Sequence, residues 1–126
     1  MALTFAISRY MNNIFNLPAS VPTEELFETL LSTENVLIER IISTGQTTPL
    51  GEWYNQDTDE WVILLQGEAQ LSYADGSTIK LGAGNYVFIP AHQKHRVEYT
   101  TSLPPCIWLA VHVNSCTKLI SPRTVN

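Results

Sequence analysis

From Asn35 onward, apolar and polar residues alternate with a period of two, and turn-forming residues interrupt the alternation at short intervals. A β-strand sends successive side chains to opposite faces, so this pattern commits the region to short strands. Val36, Ile38, Arg40 and Ile42 alternate with Leu37, Glu39 and Ile41, and a turn-rich stretch follows from Thr44 to Gly51. Trp61 to Gln66 is apolar at nearly every position and reads as a strand buried on both faces, ending at Gly67. Ala69, Leu71 and Tyr73 alternate with Glu68, Gln70 and Ser72, and Asp75-Gly76 is a two-residue hairpin signal before Thr78 to Leu81. Gly82 to Gly84 lead into Tyr86 to Ile89, which Pro90 stops; Val97 to Thr100 and Ile107 to Val113 supply two more strands. Seven or eight short, evenly spaced strands indicate a β-sandwich or barrel.

Upstream the period changes. Leu26, Phe27, Leu30 and Leu31 recur at helical spacing behind Glu24 and Glu25, acids that favour a helix N-terminus, so a short helix is expected over Glu24 to Leu31, covering one edge or end of the sheet. Met11 to Leu17 is a candidate N-terminal strand. The organisation is then an N-terminal strand and helix segment at 1–34, a β-domain at 35–114 and a tail at 115–126. The chain has 126 residues, 44% of them hydrophobic, which suits one core and one domain.

Net charge is −5, unevenly spread. Residues 41–79 hold six acids and no base, whereas Lys80, Lys94, Arg96, Lys118 and Arg123 fall after them against one acid, Glu98. An acidic chain without a dense basic cluster repels phosphate backbones, so nucleic acid is not an expected partner. The longest apolar runs, Trp61 to Leu65 and Cys106 to Val113 with His112 inside it, are too short to span a bilayer as a helix. The start carries no basic residue ahead of its apolar stretch and no small-residue cleavage pattern, so a cytoplasmic protein is expected, with Cys106 and Cys116 as reduced, buried thiols.

All three histidines, His92, His95 and His112, lie in the last third. Two windows combine them with an acid. Glu60 is followed by six residues and Gly67; Gly84 is followed by five residues, Pro90 and, five further on, His95. These windows, in this order and separated by the Asp75-Gly76 hairpin, resemble the two motifs of the cupin superfamily. The likeness covers about residues 35 to 114 and identifies a small single-domain cupin: all-β, a double-stranded antiparallel β-barrel of jelly-roll type, here with one short N-terminal helix.

The resemblance implies a metal inside the barrel, held by two histidines and a glutamate of the first motif and one histidine of the second. The glutamate falls on Glu60 and the second-motif histidine on His95. The other two positions are Tyr54 and Gln56, or Trp53 and Asn55 under a longer spacing, so neither histidine is carried over. Gln56, through its carbonyl oxygen, and His92 complete the candidate ligand set for one divalent ion (Zn, Fe, Mn or Ni). Trp53, Tyr54 and Tyr86 are candidates for an aromatic ligand-binding wall. The resemblance also implies a homodimer, formed by packing sheets or by exchanging N-terminal strands, for which Met11 to Leu17 is the candidate.

Two functions follow. The first is a divalent-metal-dependent enzyme acting on a small molecule, of dioxygenase, lyase, isomerase or decarboxylase type, in which Glu60 and His95 also serve as acid and base. The second is a metal-free module that binds or senses a small ligand, with Glu60 paired to His95 or Arg96. Strand alternation sends Arg96 to the face opposite His95. His112 shares a face with Trp108 and Ala110, interior or solvent-facing.

Overall fold

In a computed structural model, which describes residues 11–20 and 22–114, the chain forms eight strands. They are β1 (Leu26–Ser32), β2 (Val36–Ser43), β3 (Thr58–Gln66), β4 (Ala69–Tyr73), β5 (Thr78–Leu81), β6 (Tyr86–Ile89), β7 (His95–Thr100) and β8 (Cys106–Asn114). Two antiparallel sheets result, one ordered β1-β2-β8-β3-β6 and one ordered β5-β4-β7. Their hydrogen-bonded ladders do not close into a ring among the described residues; the sheets meet through side chains. Cys116 and the 1–10 part of the N-terminal segment lie outside the described residues.

The apolar core sits between the sheets. Val62 and Leu64 of β3, Ile89 of β6 and Trp108 and Ala110 of β8 meet Ala69 and Leu71 of β4 and Leu81 of β5, all buried. Pairing explains the selection: Leu64 stands opposite Trp108 and Val62 opposite Ala110, so residues two apart on neighbouring strands share the inner face. Strand β3 is not buried on both faces as its run of apolar residues suggested. Glu60, Val62 and Leu64 are buried while Trp61 and Ile63 are half-buried on the outside.

The expected helix over Glu24 to Leu31 is instead strand β1, and no helix occurs among the described residues. An isolated segment of about eight residues gains too few internal hydrogen bonds to offset helix nucleation. The open edge of β2 offers more: β1 pairs along it from Leu26 opposite Ile42 to Ser32 opposite Leu37, through a register shift between Thr29 and Leu31. Phe27 lines the interior cavity but, like Leu30 and Leu31, stays about half exposed on this edge strand. Met11 to Leu17 contains no strand either. Asn13 accepts the Phe15 N–H on its side chain and the Asn16 N–H on its carbonyl, making a turn, and Arg40 reaches out to the carbonyls of Ile14 and Asn16 at 3.0 and 2.6 Å.

Glycine is required most strongly where β3 turns into β4. Gly67 has φ +90°, and a Cβ built there would lie 2.7 Å from Thr101 Oγ1 and 2.8 Å from Cys106 Sγ. Neither neighbour is free to retreat: Thr101 Oγ1 accepts the Glu68 N–H, and the buried Cys106 thiol donates to the Glu68 carbonyl. Gly67→Ala therefore combines backbone strain with overpacking and is expected to lose about 2–4 kcal/mol in urea unfolding. Gly51→Ala, where φ is +82° but the space is open, should lose only about 1 kcal/mol; equal losses at both sites would refute the packing argument.

Candidate functional site

The site is built outward from β7. His95 and Arg96 are neighbours on a strand and face opposite ways. The Arg96 guanidinium, itself buried, donates to the backbone carbonyls of Thr48 at 3.0 Å, Glu52 at 3.2 Å and Pro49 at 3.4 Å, and lies 5.8 Å from the centre of the Trp53 ring. Its Nε is 2.8 Å from Glu98 Oε1, close enough for charge pairing though not aligned as a hydrogen bond. The loop preceding residue 54 is thereby held against the outer face of β7. Tyr54 can then pair with His95 through two backbone hydrogen bonds, Tyr54 N–H to His95 O at 2.8 Å and His95 N–H to Tyr54 O at 3.2 Å. Tyr54 stacks on the His95 ring, centroids 5.5 Å apart, and Tyr54 and Gln56 line the interior cavity. Of the two spacings open in the first motif, the chain uses the one that turns Tyr54 and Gln56 inward.

Glu60 arrives from β3, with His112 of β8 opposite it on one side and Ile89 of β6 on the other. Its Oε1 is 3.7 Å from His95 Nε2, and the two residues are 7% and 5% exposed. That gap is too long for a hydrogen bond, and the Glu60 carboxyl has no hydrogen-bond partner among the described residues. His95 Nδ1 lies 2.9 Å from the Gln93 carbonyl. An acceptor at that position fixes the proton on Nδ1, so in the neutral ring Nε2 presents a bare lone pair towards Glu60. Glu25, Glu39 and His112 face the same space. His112 Nε2–H donates to Glu39 at 2.9 Å; Trp108 Nε1–H donates to Ser43 Oγ, whose hydroxyl donates to Glu25 at 2.6 Å. Phe27, Ile41, Val62, Leu71, Val97 and Trp108 supply the apolar wall of a cavity of about 80 Å³.

Burial weakens the acids here. Loss of hydration pushes the Glu60 carboxyl above its ordinary value, with Glu39 adding to the effect, while His112 and His95 pull the other way. Burial raises Glu25 too, against the lowering effect of the Ser43 hydroxyl. The Tyr54 phenol is raised by burial and then by the Glu25, Glu60 and Glu52 carboxylates.

Glu60, His95, Tyr54 and Gln56 are thus brought together. The other three candidate residues lie elsewhere. His92 has φ +66° on the turn after β6, and its ring meets Asn55 Oδ1 at 3.2 Å in an exposed position outside the cavity. Tyr86 faces outward, 65% exposed, against Trp61. Trp53 is 41% exposed beside Arg96. Conversely Glu25, Glu39 and His112 line the cavity without having been singled out as site residues. For His112 the signal was present in its shared face with Trp108 once Trp108 is recognised as core.

These donors do not make the metal set that the resemblance implies. Among the described residues no three His, Cys, Asp or Glu side chains converge as a group able to hold an ion. A phenol and an amide stand where the first motif has two imidazoles, and they are poor ligands for the transition ions those imidazoles suit.

The comparisons with known proteins agree with this architecture. The profile of the cupin domain matches residues 41–112, more than half of the chain. The chain belongs to the cupin family. A Ralstonia eutropha JMP134 protein provisionally named a mannose-6-phosphate isomerase is 38% identical, with a TM-score of 0.76 over 83% of this chain and 98% of that one. Two further structures share the fold at lower identity. A cupin superfamily protein of Desulfitobacterium hafniense DCB-2 has TM-score 0.63 at 20% identity, over 75% of this chain and 81% of that one. An RmlC-like cupin of Methanocaldococcus jannaschii with a double-stranded β-helix fold has TM-score 0.62 at 18% identity, over 84% and 94%. Among curated proteins none matches the chain in sequence. No helix among the described residues is long and apolar enough to cross a membrane.

The raised Glu60 and Glu25 carboxyls set the sign of a pH effect on this cupin. A carboxyl whose folded pKa exceeds its unfolded value binds its proton more tightly in the native state, so folding stability is lost as pH rises from about 4.5 through the folded value. In urea unfolding across that range, Glu60→Gln and Glu25→Gln should each flatten the decline and be more stable than the native chain at neutral pH. A decline unchanged in both variants would show that burial does not govern these acids.

Proposed function

We propose that this cupin takes a small organic molecule into the cavity between its sheets and moves a proton on it, with Glu60 and His95 as the acid–base pair and with no need of a metal. The observation that carries this reading is the pair itself: a buried carboxyl with no hydrogen bond, facing the bare Nε2 of a buried imidazole across 3.7 Å. Burial holds the Glu60 proton to higher pH than in water, which brings a carboxyl closer to the acidity that general acid–base catalysis uses near neutral pH. His95 supplies the complementary group, with its proton fixed on Nδ1 by Gln93 and its orientation fixed by the stack with Tyr54.

The name of the Ralstonia relative supports chemistry of this class, since an aldose–ketose interconversion of a sugar phosphate proceeds by proton transfer. It fits less well in substrate, because a phosphorylated sugar needs cationic anchors and no Lys or Arg among the described residues lines the cavity. A second reading, a binding module without turnover, is favoured by Tyr54 and Gln56 standing where cupins carry metal-binding imidazoles.

One set of measurements separates them. A panel of small hydroxy- and amino-carbonyl compounds is incubated with the protein in deuterated water and followed by NMR for exchange of carbon-bound protons. Exchange with at least one compound is expected, falling by about 10²-fold or more in Glu60→Gln and in His95→Asn. Exchange at the same rate in native and variant protein would sink the assignment, and bound compounds that never exchange would favour the binding module.

Metal removal gives an independent check. Treatment with a chelator is expected to leave both melting temperature and exchange rate unchanged; a loss restored by a transition ion would overturn the metal-free form.

A further inference from the structure

We infer that the molecule this cavity accepts carries a primary ammonium group, an inference that rests on the reading that a small organic molecule enters it. The argument is a count of open donors and acceptors. With the carboxylates ionised, as an ammonium would favour, both oxygens of Glu60, Nε2 of His95, the Glu25 oxygen not used by Ser43 and the Glu39 oxygen not used by His112 accept no hydrogen bond on the cavity side. Nearly every donor there is already committed: Trp108 to Ser43, Ser43 to Glu25, His112 to Glu39 and His95 Nδ1 to Gln93. Only the Tyr54 hydroxyl and the Gln56 amide remain. An interior with surplus acceptors is complemented by a group made of donors, and an ammonium has three donors, no acceptor and a charge opposite to the carboxylates.

The count does not rest on a crowd of acids alone. The Glu60 side chain is only 9% exposed and the His95 side chain 6%, yet the carboxyl and Nε2 face each other with neither bonded. Two acceptors set 3.7 Å apart can both be reached by one ammonium seated beside the gap, about 2.9 Å from each, and not within it. The approach has the same sign. The wider hollow beside the cavity shares Glu39, Gln56 and His112 with it and adds Glu34 and Asp57, again with no Lys or Arg among the described residues. Arg40 and Arg96 are directed elsewhere, to Glu28 and the N-terminal carbonyls and to the loop carbonyls respectively. An anionic ligand would meet repulsion at both the mouth and the interior. The apolar wall of Phe27, Val62, Leu71 and Trp108 suits a short alkyl stem behind the charged head.

The test uses three small probes with the same number of carbons and different heads: propylammonium, 1-propanol and propionate. Each is titrated into the full chain near neutral pH while backbone amide resonances are followed by NMR. Propylammonium should shift the amides of cavity residues such as Val62 and Leu71, with a Kd at least about tenfold below that of 1-propanol, and propionate should cause no shift. Glu60→Gln should reduce the preference for the amine over the alcohol to about twofold or less, and Glu25→Gln, which keeps the Glu60–His95 pair, should weaken it in the same direction. If the alcohol or the carboxylate binds as well as the amine, or if the amine preference survives both variants, the ammonium inference is overturned while the cavity reading stands. If none of the three shifts a cavity resonance, both are overturned.

Discussion

Strand β8 is the member on which the interior depends, because it is paired along its length with β2 on one side and β3 on the other. Its alternation decides at once which residues of three strands face inward. With Trp108, Ala110 and His112 on the inner face, their partners follow: Ile41 and Leu64, Glu39 and Val62, and Glu60. Glu60 faces the cavity only because the native register sets it on the same side as Trp108; a one-residue slip of the β3–β8 ladder would put the two on opposite faces. The core and the candidate chemistry therefore share one geometric origin.

Along that inner face the character changes from one end to the other. Leu64, Leu81 and Trp108 give an apolar end that is closely packed, while Glu60, His95, His112 and Glu39 occupy the other end with incompletely matched hydrogen bonds. A chain selected for stability alone would fill the second end with hydrocarbon, since replacing a buried charged group by a well-packed apolar one is often neutral or favourable. Retaining weakened acids beside open acceptors goes against local stability, and sites of that kind are where function concentrates.

Much of the sheet was legible because period-two alternation is a direct image of strand geometry. Val36 to Ile42, Ala69 to Tyr73 and Thr78 to Leu81 each read as strands with nearly their observed bounds. Met11 to Leu17, expected as a strand, makes a turn instead, and β1 was misread as a helix because Leu26, Phe27, Leu30 and Leu31 fit a helical stripe by spacing. What decided its state was the unpaired edge of β2 some ten residues later in the chain, which no local pattern reports. The site was legible in the same measure. Glu60 and His95 could be named because their spacing to Gly67 and to Pro90 follows the family motifs. Glu25 and Glu39 could not, because their inward direction depends on the β1–β2 and β2–β8 registers. His92 was drawn in by its nearness in sequence to His95, but the left-handed turn after Pro90 leaves it outside.

Arg96 holds its loop by carbonyl oxygens, not by side chains. A clamp on the main chain is indifferent to which residues the loop carries, provided its path is kept. Pro49, Leu50 and Glu52 are therefore free to diverge between descendants of an ancestral chain without disturbing the bridge that sets Tyr54 against His95, whereas Thr48, whose buried hydroxyl accepts the Val97 N–H, and Gly51, at φ +82°, are not. The outer surface of that loop could drift in this way while the acid and the imidazole are inherited unchanged.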